Sequence, residues 1–587
     1  MAALPLRFTH GALVEDGQRT CFSLWAPDAR TVELELDGAT FAMAPEADGW
    51  FRLHRRCPQG ALYRYRIDGE LSVPDPASRF QPQGVHGPSQ VVAPQRYPWR
   101  NTEWRGRPWT EAVIQEVHVG LLGGYAGVMR ELPRLAELGI TAIELMPIHQ
   151  FPGERNWGYD GVLPFAPQHS YGTPDELMAL IDQAHGLGLM VMLDVVYNHF
   201  GPDGNYLHRY AERFFREDKH TPWGAAIDFR RAEVRDFFIE NALMWLSDYR
   251  FDGLRLDAVH AIEDPDFLRA LSSAVRQHCG ENRHCWLVLE NEANQASLLE
   301  SAFDGQWNDD GHNTLHVMLT GEKEGYYADF QEPTARLARC LGEGFVYQGE
   351  TSHHGTPRGE PSAHLPPTAF VLFLQNHDQT GNRALGERLP ALCSPQALRA
   401  ATTLLLLSPM IPLLFMGDEW ASESPFLFFT DHHDELADAV RNGRRAEFKG
   451  FAAFADPEQR ARIPDPNAVQ TFLDSRPKRN AHSASWEDFY RHLLELRRQH
   501  LVPHLAGTRA LGAEVLGDRA VSARWQLGDG RELRIDLNLG PDPVQSHLPD
   551  THQPLFNCTE AVHQPGTLPP YSALVSLNSH AAAEPAP

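Results

Sequence analysis

The sequence predicts an α/β protein: a (β/α)8 TIM barrel flanked by an N-terminal and a C-terminal β-sandwich. Three observations carry that reading. Short strands broken by turns fill residues 1–100, apolar strands alternate with helices over 101–504, and short strands return over 505–579. Apolar strands separated by helices form a parallel sheet covered on both faces, and a span of roughly 390 residues suits eight such units with long loops.

The first strands are Cys21–Trp25, Val32–Leu36, Phe51–His54 and Leu62–Ile67, with Asp37-Gly38, Asp48-Gly49 and Asp68-Gly69 as turns. They predict an immunoglobulin-like sandwich resembling a glycan module. Trp25, Trp50 and Tyr63 are expected in its core, although exposed aromatics there could grip a glycan. Pro- and Gly-rich sequence from Val73 to Pro108 reads as a connector.

The barrel strands are expected at Val113–Val119, Thr141–Met146, Leu189–Tyr197, Phe251–Asp257, Trp286–Leu289, Phe303–Trp307, Ala369–Gln375 and Ile411–Met416. The last barrel helix is expected to start at Ser485, with Asp488 completing a capping box and Phe489, Leu493 and Leu496 facing inward. Ala520–Trp525, Leu533–Leu537 and Ala573–Leu577 predict the C-terminal sandwich, and the Ala/Pro-rich residues 580–587 a disordered tail.

Bulk composition narrows the function. With 52 basic against 77 acidic residues the net charge is -25, which repels nucleic acid and anionic membrane but not a neutral sugar polymer. No run approaches the ~20 apolar residues of a membrane span, and no basic-then-apolar leader is visible. The seven cysteines lack CxxC spacing, so no disulfide framework and a reducing cytoplasm are expected. Phosphate-loop, dinucleotide and zinc-ligand spacings are missing too, so neither cofactor nor metal is expected.

Chemistry in such a barrel gathers at the C-terminal strand ends. Those ends read Asp194-Val195-Val196-Tyr197-Asn198-His199 on the third strand and Gly253-Leu254-Arg255-Leu256-Asp257-Ala258-Val259-His260 on the fourth. The fifth reads Leu289-Glu290-Asn291-Glu292 and the seventh Gln375-Asn376-His377-Asp378-Gln379. In order, strand position and spacing these resemble the four conserved regions of the α-amylase family of glycoside hydrolases, across the whole barrel.

The resemblance implies a retaining mechanism with two carboxyl groups about 5–5.5 Å apart. Asp257 is the expected nucleophile, kept ionised by Arg255 two residues earlier on the same face. Glu290, directly after its apolar strand, is the expected acid/base, with Glu292 the alternative. Asp378 matches the family's third carboxylate, and His199 and His377 are expected to donate to the sugar at the cleavage point. Read alone, Arg255–Asp257 could be a structural ion pair and His199 a satisfied barrel histidine.

In Trp157-Gly158-Tyr159-Asp160, after the second strand, the two aromatics are expected to stack on glucose rings, core packing being the rival reading. His260 comes one residue before the histidine of the Lys-His pair found in some amylases, and the lysine is missing. Asp194 and Asn198 resemble positions that orient the site. The Asn binds calcium in many amylases, but no complete oxygen cage is legible here.

A sandwich ahead of the barrel resembles branching enzymes, debranching enzymes and trehalohydrolases. Three stretches favour the last group: Trp307-Asn308-Asp309-Asp310-Gly311-His312, Leu319–Tyr327, and Asn376–Arg383 continuing into Gly386-Glu387-Arg388-Leu389. Gly311 and Asn313 stand where that group has an aromatic and a second histidine. Asp160, Arg255, His260, Asp310, His312, Gln379 and Asn382 are expected to contact the substrate, an α-glucan ending in trehalose, and a maltooligosyltrehalose synthase is the implied functional partner. A glycogen branching or debranching enzyme, or a non-catalytic glycan binder, are the other readings.

Overall fold

The computed structural model describes residues 8–15, 19–221, 224–352, 355–559 and 566–578. The expected tail at 580–587 lies outside them. Near the N-terminus two antiparallel sheets face each other, one built on Arg19–Trp25 and Trp50–Arg56, the other on Val32–Leu36 and Leu62–Ile67. Phe22 of the first meets Tyr63 of the second edge-on at 5.0 Å, and Trp25 and Tyr63 are buried as expected.

Eight parallel strands close the central barrel: β1 (Ile114–Val117), β2 (Ala142–Leu145), β3 (Met190–Val195), β4 (Gly253–Leu256), β5 (Trp286–Leu289), β6 (Gly305–Trp307), β7 (Phe370–Phe373) and β8 (Ile411–Phe415). β8 pairs back onto β1. Each strand lies inside one of the expected spans.

Alternation along the strands sorts their side chains. Val191, Leu193, Leu287 and Leu289 belong to the outer core beneath the helices, whereas Met190, Met192, Trp286, Val288, Trp307, Val371 and Phe373 fill the barrel interior. Gly253 is required there, because a Cβ would stand 2.7 Å from the Trp286 carbonyl oxygen. One step above this apolar plug, the same inward parity presents Glu116, Glu144, Asp194, Arg255, Asp257 and Glu290. A hydrophobic floor therefore supports a charged layer.

The last barrel helix runs Ser483–Leu496 and starts two residues earlier than expected. Its N-cap, His482, makes no side-chain capping bond, so the expected capping box does not form. The inward face is Trp486, Tyr490, Leu493 and Leu494; Phe489 and Leu496 are only half-buried. Beyond it, Arg509–Gly517, Ala520–Gln526, Glu532–Asn538, Ser572–Asn578 and His552–Asn557 form a five-stranded antiparallel sheet. A two-stranded sheet, Val544–Gln545 with Thr567–Leu568, accompanies it. Against the expected lack of a disulfide framework, one local pair is bonded. Cys279, ending the helix Pro265–Cys279, is disulfide-bonded to Cys285 just before β5, across a turn at Gly280. No helix among the described residues is long and apolar enough to cross a membrane.

Candidate active site

Arg255 organises the charged layer. Its Nη1 donates to both oxygens of Asp194 and to Asp257 Oδ1, each at 2.8 Å, and its Nη2 lies 3.0 Å from Glu290 Oε2. The guanidinium is 1% exposed and stacks over Trp307. Strand register explains the grouping. Asp194 pairs with Arg255 across β3 and β4, while Asp257 and Glu290 extend β4 and β5 by one residue, their N–H groups donating to the Val195 and Leu256 carbonyls.

The two candidate catalytic carboxyls are pushed apart. Burial raises Asp257, but Arg255, His199 and a 2.8 Å bond from Asn198 Nδ2 outweigh it and hold the group below the usual range. Burial is also the largest influence on Glu290; Arg255 opposes it, yet Asp257, Asp378 and Asp309 carry Glu290 well above the usual range. Ala258, between them, adopts φ +41°, a left-handed conformation that a residue with a Cβ rarely takes. That turn delivers its N–H to Glu290 Oε2 at 2.7 Å.

His377 donates its backbone N–H to Glu116 Oε2 at 2.8 Å and its ring to the same carboxylate. Burial lowers this imidazole, but Glu116 and Asp378 raise it further, so it sits above its ordinary value. Tyr159 stacks on it, ring centres 5.1 Å apart, and donates its hydroxyl to Asp194 at 2.6 Å. His199 lies beside Asp257 with Nε2 donating to the Tyr159 carbonyl at 2.9 Å. Asp160 is held by Asn156 and by His432 at 3.3 Å.

A cavity of about 1140 Å³ opens beside Glu290 and Asp378, bordered also by Asp309, Gln379, Asn382 and His260 among others. Asn382 donates to Asp378, and Gln379 Nε2 donates to Asp309 Oδ1 at 3.2 Å. Glu292, the alternative acid, is exposed and pairs loosely with His260 at 3.8 Å, away from Arg255.

Three sequence expectations are corrected. Trp157 is 5% exposed, stacked on Phe426 and edge-on to Phe428, and a Cβ at Gly381 would stand 2.1 Å from its ring. It braces His377 from behind and offers no free face to a sugar. Asp310 is buried and fully engaged. Its Oδ2 accepts from Asn294, Val346 and Tyr347 at 2.9, 2.9 and 3.0 Å, and its Oδ1 from Arg358 at 2.9 Å. His312 is 1% exposed, stacked on Phe373, with Nδ1 donating to the Leu374 carbonyl. The neighbours Asp309 and Asn313 reach the cavity instead. Burial and Asp378 push the Asp309 carboxyl up to about 7. The acidic residue Glu144, also missed, is wholly buried with neither carboxyl oxygen bonded, and burial holds it well above the usual range.

Asp194 accepts from Arg255 and Tyr159, and Asn198 donates its amide to the Asp257 carbonyl, so both help to orient the site. Elsewhere, Glu15, Cys21 and His54 bring three potential ligand atoms within 4.8 Å of one another.

Known proteins match most of the chain. A model for "Alpha amylase, catalytic domain" matches residues 92–223, and "Domain of unknown function (DUF3459)" matches 508–575. A Malto-oligosyltrehalose trehalohydrolase from Deinococcus radiodurans is 42% identical over 90% of this chain and 88% of its own. The chain belongs to the malto-oligosyltrehalose trehalohydrolase family. A family member from Saccharolobus solfataricus is 38% identical over 86% of this chain and 88% of its own. A Salmonella typhimurium protein solved as a candidate alpha amylase superposes with TM-score 0.92 at 42% identity, covering 98% of this chain and 100% of that one. An Anoxybacillus pullulanase, at 18% identity and TM-score 0.72 over 97% of this chain and 87% of its own, shares the fold. A branching enzyme from Cutibacterium acnes matches only 44% of this chain and 45% of its own, at 31% identity.

Proposed function

We propose that this chain hydrolyses the α-1,4-glucosidic bond next to the terminal trehalose of maltooligosyltrehalose, releasing trehalose with retention of configuration. The observation that carries the chemistry is one guanidinium holding two carboxyls of opposite protonation tendency. Asp257, kept ionised, attacks C1 of the sugar while Glu290 gives its proton to the departing oxygen. A glycosyl ester forms on Asp257. Glu290, now ionised, takes a proton from water, the hydroxide adds to C1, and Asp257 is freed. Asp378, steadied by Asn382, faces the same cavity and suits hydrogen bonds to sugar hydroxyls.

The named substrate is supported by the relatives that carry this activity in their names. The branching reading has only its partial match. A synthase that builds the trehalose end is the reaction that must supply such a substrate. A cytoplasmic setting belongs to the same reading; Cys21, Cys57, Cys340, Cys393 and Cys558 are free, while Cys279 and Cys285 are bonded.

The test is product analysis on maltotriosyltrehalose and, separately, on maltopentaose and glycogen. Trehalose plus maltotriose, with little attack on the other two, is expected. Rapid cleavage or branching of glycogen without trehalose release would overturn the named substrate.

A further inference from the structure

Within the proposed reaction the cavity is assigned to the leaving-group side of the scissile bond. Glu290, which protonates the departing oxygen, lines it, whereas Asp257 and the Tyr159–His199–His377 cluster do not. Its far wall carries an ion-pair network. Glu322 accepts from Arg383 Nη1 at 2.6 Å and Nη2 at 2.9 Å, and from His316 Nε2 at 2.8 Å. His316 in turn lies flat on Tyr327, with ring centres 4.2 Å apart and planes within 9°. Glu322, Tyr327 and Arg383 all border the cavity.

Local structure explains the placement. The helix Asp309–Thr320 stops at Gly321, whose φ of +77° turns the chain toward the cavity, and the Glu322 N–H bonds the Thr320 hydroxyl. Three donors fix the carboxylate, and burial is outweighed by His316 and Arg383, so its pKa falls to about 2. Of its two oxygens Oε1 receives the Nη2 bond and Oε2 the other two, which leaves Oε1 acceptor capacity for a hydroxyl.

We propose that Glu322, clamped by Arg383 and His316, is a specificity-determining residue that accepts hydroxyl hydrogen bonds from the departing disaccharide. A trehalose end and a maltose end differ in how the second ring presents its hydroxyls, so a fixed acceptor beside a fixed aromatic discriminates between them. This rests on the trehalose-releasing reading above.

The experiment compares wild type, Glu322→Gln and Arg383→Lys on two substrates, maltotriosyltrehalose and an aryl α-maltotrioside whose leaving group has no sugar hydroxyls. It also measures inhibition of the aryl reaction by free trehalose. Losing a charged acceptor should cut kcat/KM on maltotriosyltrehalose roughly tenfold to a hundredfold. Aryl hydrolysis should stay within about twofold and trehalose inhibition should weaken about tenfold or more. Arg383→Lys should show the same pattern more weakly. Equal losses on both substrates, or no loss on either, would overturn the assignment. Failure of the wild type to release trehalose would instead overturn the substrate reading, a separate result.

Discussion

The guanidinium carbon of Arg255 stands 4.1 Å from the centre of the Trp307 ring. The aromatic face fixes the plane of the guanidinium, and the plane fixes where three carboxylates sit. Lysine has neither the plane nor the fork. Arg255→Lys is expected to cost roughly 10²-fold or more in kcat and to lower the thermal midpoint, because buried carboxylates lose paired donors. Both are read from kinetics and a melting curve; full activity would remove Arg255 from its organising role.

Asp257→Asn and Glu290→Gln should each lower turnover by roughly 10³-fold or more while leaving the fold intact. Glu290→Gln should retain more activity on the aryl substrate, whose leaving group needs less protonation. Proton NMR of the first product should show the α-anomer. A β-anomer would exclude a covalent ester on Asp257.

The pH profile should be bell-shaped. Activity falls on the acid side as Asp257 gains a proton, and on the alkaline side as Glu290 loses one. Asp309 is one of the charges that raise Glu290, with Asp257 and Asp378, against Arg255. Asp309→Asn should therefore move the alkaline limb to lower pH, while Asp309→Glu should not. An unmoved limb would mean that Asp309 is electrostatically silent.

Glu290 binds its proton more tightly when folded than when unfolded, so its charge destabilises the fold above the folded pKa. The penalty disappears below the unfolded pKa. Glu290→Gln should accordingly raise the melting temperature at pH 8 and change it little at pH 4. Equal effects at both would point to packing and not to charge.

Trp157 and Tyr159 should separate stability from function. Trp157→Ala empties a buried site and should cost about 3–5 kcal/mol of stability. Tyr159→Ala, at a half-buried ring, should weaken substrate binding with a smaller stability change. Denaturant midpoints and KM values distinguish the two.

The barrel was legible because buried parallel strands read as apolar runs, and Asp257 and Glu290 follow theirs directly, while Asp378 comes in the short helix His377–Gly381 just beyond β7. Asp309 and Asp310 were not separable, because consecutive helix residues point about 100° apart and sequence does not give the phase. The early start at Ser483 left no signal, since no side chain caps it. Trp157 was misjudged because whether an aromatic in a loop meets solvent depends on Phe426 and Phe428, far along the chain.

Asp309 and Asp310 divide their labour: one looks into the cavity, and the other moors Val346, Tyr347 and Arg358 at a single buried point. The segment around Arg358 is thus an exchangeable rim on a permanent anchor. Its outer residues can be redrawn to admit other leaving groups while the floor that breaks the bond stays as it is.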